Sequence, residues 1–590
     1  MNYQDISNSA LENIKRNKTT ANQISYVRLF LACIEIFLIY SIIRDGSSSL
    51  LLVSAFAIFF LFLFLVNRHQ RIIDKVQYYQ AIHQVCVKEI AAEKGNIQAF
   101  DDGKEYEEKG HFFSFDLDIF DNHSIFQLLN RSITQSGKDT LAHQLKFPFL
   151  SKEIIIDRQK SIEELKNKVD WRVDFLANGS LLKNDETKYK ELTNWLKSED
   201  VDLLKSYKFL LWLVPAINFT LLGLWIFDVI SFRVWLATLV FQSLFSALNR
   251  KKLNALYLNI SKNTTNLQKY VELFRLVEKE DWQTPMLKSW KELLSTPEFI
   301  SVKIKKLANI AAYFAVRNNF FGPILNAFLL WDYQCAYQFE LWKRDNSHSL
   351  LQSFETLHQL EVLISLACYE YANPAYVVPE ISDHIILDAQ QLGHPLLKRE
   401  KSVNNDFGIK KNEQIFIVTG ANMAGKSTFL RAIGSNFVLA MLGTRVCAEK
   451  FSFKPIQIYT CMRITDSIEE GESYFHAELL RLQRIVKLLE EGKEVFVILD
   501  ELLKGTNSKD KLLGSELFLE KLIQYKTAFG MIATHDLDLT AMATKYPDTI
   551  KNICFEIIIE GDKMTFDYKL RSGVTQNMNA LFLMKQMGIV

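Results

Sequence analysis

The sequence is short of several features that would have assigned it quickly. It has no charge excess: 69 Lys and Arg stand against 68 Asp and Glu, for a formal net charge of +1. A global basic footprint for nucleic acid is therefore missing, and only a local patch remains open. None of the seven cysteines, at 33, 86, 335, 368, 447, 461 and 554, forms a CxxC pair. That spacing argues against a zinc site or a disulfide framework and fits a reducing compartment. Residues 1 to 20 are polar, and no small-residue cleavage site follows the first apolar run, so no cleavable signal is expected. Internal repeats and low-complexity tracts are absent as well.

What is present is apolar residues, 48% of a 590-residue chain. That length requires two or more cores. Much of the apolar content lies in four runs: LFLACIEIFLIYSII (29–43), LLLVSAFAIFFLFLFLV (50–66), FLLWLVPAINFTLLGLWIF (209–227) and VWLATLVFQSLFSAL (234–248). A helix needs roughly 17 to 25 residues to span a bilayer. The second and third runs meet that length, and the first and fourth complete two tight hairpins. Arg28, Arg68, Arg71 and Lys75 flank the first hairpin, and Lys205, Lys208 and Arg250 to Lys252 flank the second. Positive flanks favour the cytoplasmic side. The expectation is two membrane hairpins, about 27–66 and about 209–248, in the cytoplasmic membrane, with every long segment cytoplasmic. Pro215, Asn218 and Glu35 are unusual inside such runs, and two hairpins buried in a soluble core are the competing reading. The run FFGPILNAFLLW (320–331) is too short to span and reads as a core helix.

The rest divides by pattern. Residues 1–110 form an N-terminal region carrying the first hairpin. Residues 111–380 read as a largely helical domain interrupted by the second. From 381 to 590 short β-branched runs alternate with helices, an α/β domain.

The α/β part carries the chemistry. Gly420-Ala421-Asn422-Met423-Ala424-Gly425-Lys426-Ser427 satisfies GxxxxGK[ST] between an apolar strand (414–418) and a helix opening at Thr428. Glycines let backbone amides close around a phosphate, and the helix N-terminus adds positive charge. Lys426 supplies a point charge for the β- and γ-phosphates, and Ser427 a hydroxyl for Mg²⁺. The buried run Val495–Leu499 ends in Asp500-Glu501: Asp500 fits the metal shell, and Glu501 the general base acting on water. A third run, 530–533, ends in Thr534-His535, and His535 is placed to reach the γ-phosphate or the water. In DSIEEGESYFHAEL (466–479), Ser473 begins a helix and forms either an anion site or an ordinary cap.

Together these motifs resemble the MutS family of DNA mismatch-repair ATPases. TGANMAGKSTFLR (419–431) looks like its phosphate loop and LDELLKGTNS (499–508) its metal strand. ATHDLDL (533–539) looks like its His switch, and DSIEEGESYFHAEL the signature loop that reaches the partner's nucleotide in a dimer. Gly393-His394-Pro395 and Asn404-Asn405-Asp406 are similar to residues near the adenine. LDIFDNHSIFQLLNRSITQSGKDTLAHQL (117–145) resembles the start of the helical core. The resemblance implies an ABC-like ATPase using ATP and Mg²⁺, working as a homodimer through its ATPase domains. It also implies a DNA role, with Lys303, Lys305, Lys306 and Arg250 to Lys252 as candidate contacts. In place of the family's mismatch-reading domain, residues 1–111 hold an apolar hairpin, which makes lipid a further expected partner. Ala421 and Ala424 replace a usual Pro and Gly. The other reading is a membrane transport or remodelling ATPase with the same engine and no DNA role.

Overall fold

A computed structural model describes residues 2–46, 48–182, 190, 193–194, 196–198, 208–248, 250–261, 264–463, 474–504, 506–560 and 563–576. The chain forms two compact units: residues 1–87, 133–135 and 168–360 make the first, and 88–132, 136–167 and 361–590 the second.

The first unit is helical. The helix Tyr3–Asp45 opens where the Asn2 side chain accepts the Asp5 amide at 2.8 Å, and it stops at Gly46, whose φ of 84° is outside helical space. Ser49–Glu93 follows, so the first pair of apolar runs lies on two long helices. Their apolar residues face outward: Phe30 is 66% exposed, Leu50 80% and Phe56 65%. The second pair forms the helices Lys208–Ile226, with Pro215 inside it, and Phe232–Leu248, joined by a turn with Asp228 at φ 58°. Three helices, Tyr3–Arg44, Ser49–Glu93 and Phe209–Ile226, are long and apolar enough to cross a membrane, and Phe232–Leu244 is a shorter apolar helix. Over the most apolar 18 residues of each, none is buried in the first two and 11% are in the third.

Further along, the amphipathic helices Thr264–Lys279 and Ile300–Ala315 pack on one another, burying Phe274, Leu307 and Phe314. The Glu278 carboxylate accepts the Ser301 amide at 2.8 Å, a negative charge at the start of the second helix. The run 320–331 is not a core helix. Its short helix Gly322–Leu329 leaves Phe320, Phe321 and Ile324 exposed and packs against the second hairpin.

The second unit contains all ten strands of the described residues: β1 (Glu380–Ile381), β2 (Leu387–Leu392), β3 (Asn405–Gly408), β4 (Ile415–Gly420), β5 (Lys450–Phe453), β6 (Gln457–Cys461), β7 (Val495–Asp500), β8 (Ala528–Ala533), β9 (Ile550–Glu560) and β10 (Lys563–Ser572). A six-stranded sheet has the order β10-β9-β4-β8-β7-β6, parallel throughout except for the antiparallel β9–β10 edge. A smaller sheet has the order β1-β5-β2-β3. Every residue of β4 is buried, as the continuous apolar run requires of a central parallel strand. The second unit also takes in residues 88–132 and 136–167, ahead of the strands in sequence. Asp116 is 1% exposed and accepts from Thr460 Oγ1 at 2.6 Å, Met462 N at 3.1 Å and Arg463 N at 2.8 Å, at the end of β6.

Candidate functional site

The loop after β4 turns sharply into the helix Lys426–Met441. Gly420 sits at φ 150°, and a Cβ there would lie 2.7 Å from the Phe555 carbonyl oxygen on β9. Gly425, just before the helix, is at φ 106°. Backbone passes here only because side chains are missing. Ala421 and Ala424 are buried within the loop, whereas Met423 is 77% exposed at φ 67°. Thr428 lies in the first turn of the helix.

Lys426 is buried, and its ammonium donates to the carbonyls of Gly420 at 2.6 Å and Ala421 at 3.0 Å. Burial pulls the Lys426 pKa below its ordinary value, opposed by the charges of Asp500 and Glu501. Ser427 Oγ donates to Asp500 Oδ2 at 2.7 Å, joining the loop to the end of β7. One residue on, Glu501 adopts φ 57°, and its carboxylate lies 3.5 Å from His535 Nε2 and 3.7 Å from Lys504 Nζ. His535 Nε2 also lies 3.3 Å from Lys426 Nζ. Burial, then the neighbouring Lys426, hold the His535 imidazole below its ordinary pKa. The parallel pairing of β4, β8 and β7 brings all three strand ends to one edge, where open α/β sheets bind ligands.

The sequence did not single out the residue that shapes the Glu501 turn. Glu478, buried on the helix Tyr474–Glu490, accepts the amides of Leu503 at 2.6 Å and Lys504 at 3.2 Å. Burial raises its pKa, and those two amides lower it. Ser473 lies outside the described residues, as does most of the motif around it.

A cleft of about 710 Å³ opens over this arrangement. Ala421, Asn422, Met423, Gly425, Lys426, Ser427, Thr428, Asp500, Glu501, Lys504 and His535 line one part of it. Gly393, His394, Asn405, Phe429 and Tyr568 line it as well. Its size suits a nucleotide-sized ligand. Asn405 ties this side together, donating to the Tyr568 carbonyl at 3.0 Å and accepting the Leu570 amide at 2.8 Å. Tyr568, at φ 54° in the bulge of β10, carried no motif by which sequence could have found it.

The donor set also fits Mg²⁺. One hydroxyl and one carboxylate already in contact match a cation that keeps several waters and takes its other ligands from phosphates. Groups of three or more His, Cys, Asp or Glu side chains that would hold a metal alone are absent among the described residues.

Of the basic residues expected to face DNA, Lys303 is buried, whereas Lys305 and Lys306 are exposed, the latter 2.7 Å from Glu298 in a surface ion pair. Arg250, Lys251 and Lys252 are exposed.

A buried parallel strand feeding a glycine-rich loop and a helix, beside an acidic strand end, defines an α/β domain of the P-loop ATPase type. The family model described as MutS domain V matches residues 416–589. The chain is 31% identical to MutS protein homolog 4 of Mus musculus over 245 residues, 40% of this chain and 25% of that protein. It is 28% identical to the DNA mismatch repair protein MutS of Staphylococcus haemolyticus over 251 residues, 41% of this chain and 28% of that one. Against the DNA mismatch repair protein msh3 of Aspergillus oryzae it is 30% identical over 243 residues, 40% and 22% of the two chains. The C-terminal domain thus matches MutS domain V, and the chain spans about a quarter of the length of these relatives.

Proposed function

We propose that this chain is a membrane-tethered ATPase of the MutS type. The observation that carries the reading is the 2.7 Å hydrogen bond from Ser427 to Asp500, which unites the phosphate loop with the acidic strand end beside buried Lys426. The triphosphate would lie along the loop amides. Lys426 would exchange its two loop carbonyls for β- and γ-phosphate oxygens. Ser427 and Asp500 would hold Mg²⁺, whose charge offsets that developing on the phosphates. Glu501 would take the proton of the attacking water, and neutral His535, close to Glu501, would orient that water or the γ-phosphate.

The test is ATP hydrolysis by the detergent-solubilised full chain. Glu501→Gln should slow turnover by roughly 10²-fold or more while retaining nucleotide binding, and Lys426→Ala should weaken binding itself. Turnover at the parental rate in either variant overturns the assignment.

Tethering rests on the outward-facing apolar helices, since a soluble protein rarely exposes so much contiguous apolar surface. It also disfavours hairpins buried in a soluble core. Alkaline carbonate extraction tests it: the chain should stay in the pellet, and release into the supernatant removes the reading.

By family, the power stroke of a nucleotide-closed homodimer would act on DNA. The same helices also favour the second reading, a membrane transport or remodelling ATPase. Hydrolysis stimulated by duplex DNA, with affinity falling steeply as salt rises, supports the first. Stimulation by lipid vesicles alone supports the second.

A further inference from the structure

The run 320–331 is neither core nor span, and its surroundings give it a task. Both its ends are tied at one place: Arg317 and Asp332 form an ion pair at 3.2 Å whose side chains are 8% and 7% exposed. Nearby, Leu330 and Tyr333 pack with Leu211 and Leu253, which lie near the start of the second hairpin's first helix and just after its second. From that base the chain projects the helix Gly322–Leu329, eight residues and so about 12 Å long. It packs against both hairpin helices, with the Phe328 ring 5.7 Å from that of Trp235.

The backbone at the end of this helix is partnered by side chains. The last carbonyls of a helix have no partner within it. Here the Phe328 carbonyl accepts from Asn218 Nδ2 at 2.9 Å, and the Leu329 carbonyl from Gln334 Nε2 at 3.1 Å. Asn218 is 1% exposed, midway along the apolar run 209–227, and also donates to Gln242 at 2.6 Å. Inside the apolar hairpin Asn218 thus turns to the third helix, with Gln242 bonded to it. Meanwhile the other side of the segment is bare: Phe320 is 83% exposed and Phe321 63%.

We propose that residues 319–330 are a re-entrant membrane segment, entering and leaving the bilayer on the side where the second hairpin begins and ends. Its exposed phenylalanines contact lipid acyl chains. The helix is too short to cross a hydrocarbon core of about 30 Å and reaches into one leaflet. Irregular backbone at membrane depth survives only where its polar groups are satisfied by protein. The amides of Asn218 and Gln334 meet that condition, and at a water-exposed site they would be unnecessary. The proposal rests on the membrane reading above and adds a third element to the second hairpin.

Cysteines introduced one at a time into a Cys33→Ser chain, whose six remaining native cysteines are buried, test it in native membranes with a membrane-impermeant maleimide, the labelling of the Cys33→Ser parent being subtracted throughout. Phe320→Cys and Phe321→Cys should label at least tenfold more slowly than Leu397→Cys, an exposed position of the ATPase domain, and catch up after solubilisation and denaturation. Leu213→Cys and Val240→Cys, in the hairpin itself, separate the two claims. If these are protected while positions 320 and 321 label as fast as 397, the re-entrant segment is wrong and the hairpin stands. If all of them label fast, the membrane reading falls and takes this proposal with it.

Discussion

At the residue scale the site is a set of charges held a few ångströms apart, and the role proposed for His535 predicts how activity responds to pH. Its folded pKa lies below 6.5, first because of burial and second because of Lys426. The imidazole therefore stays neutral as pH falls through 6.5, with one nitrogen accepting and the other donating. The acid limb of kcat against pH should fall below 6.5, and a limb centred at or above that value would put a charge on His535 and overturn its role. The glycines, Lys426, Ser427, Asp500 and Glu501 were legible in the sequence because phosphate chemistry fixes both residue type and spacing. Lys303 was misread because a lysine in a basic run says nothing about which way its helix faces. The indole of Trp342 donates to the Lys303 carbonyl at 3.0 Å in what is a buried contact.

At the element scale, the turn after β7 needs an external hand. Glu501 and Leu503 both have positive φ, at 57° and 55°, and no glycine pays the conformational cost. Glu478 accepts the two amides that this turn directs inward, so it positions Glu501 without touching substrate. Glu478→Ala leaves the buried Leu503 amide unpaired, costing about 1–3 kcal/mol, and the part-buried Lys504 amide with it. The expected outcome is a kcat reduced at least tenfold with KM for ATP little changed, and substantial recovery in Glu478→Gln, whose carbonyl still accepts. A rise in KM with kcat intact would mean that Glu478 serves binding instead. β4, β7 and β8 were readable as short apolar runs, since a strand covered on both faces has no polar alternation to hide it. The run 320–331 was readable as a helix but its exposure was not, because an apolar run of that length looks the same in a core and on a surface.

For the whole molecule, the balance of buried titratable groups sets the response to acid. His111, His358 and His394 are each pushed down to about 4 by burial. In the unfolded chain they titrate near 6.5. Between those values the unfolded chain takes up protons that the folded one refuses, so stability falls as pH drops from 6.5 to 4. Glu370 acts oppositely: burial raises it to about 7 against the pull of Arg445, so its contribution is lost as pH rises from 4.5 to 7. The three imidazoles outweigh Glu370, the carboxyl that burial raises furthest, and the thermal midpoint should be lower at pH 5 than at pH 7.5, on the order of 5 °C. A midpoint that is unchanged or higher at pH 5 would contradict this account. The change from helices to an α/β pattern near 381 was legible in the sequence, but the grouping of 88–132 and 136–167 with the strands was not, since long-range pairing leaves no local pattern.

That grouping bears on how the protein can be cut. Asp116 and Asp118 receive Arg463 and Arg481 from a point more than three hundred residues downstream. A fragment begun at 381 would carry both arginines and the hydroxyl of Thr460 without their acceptors, and the apolar seat of Leu117 against Gly434 would be stripped. The nucleotide domain is thus a composite of distant stretches of chain. Protease nicks between 168 and 360 should leave its two halves clasped, whereas truncation past 118 should cost it solubility before activity.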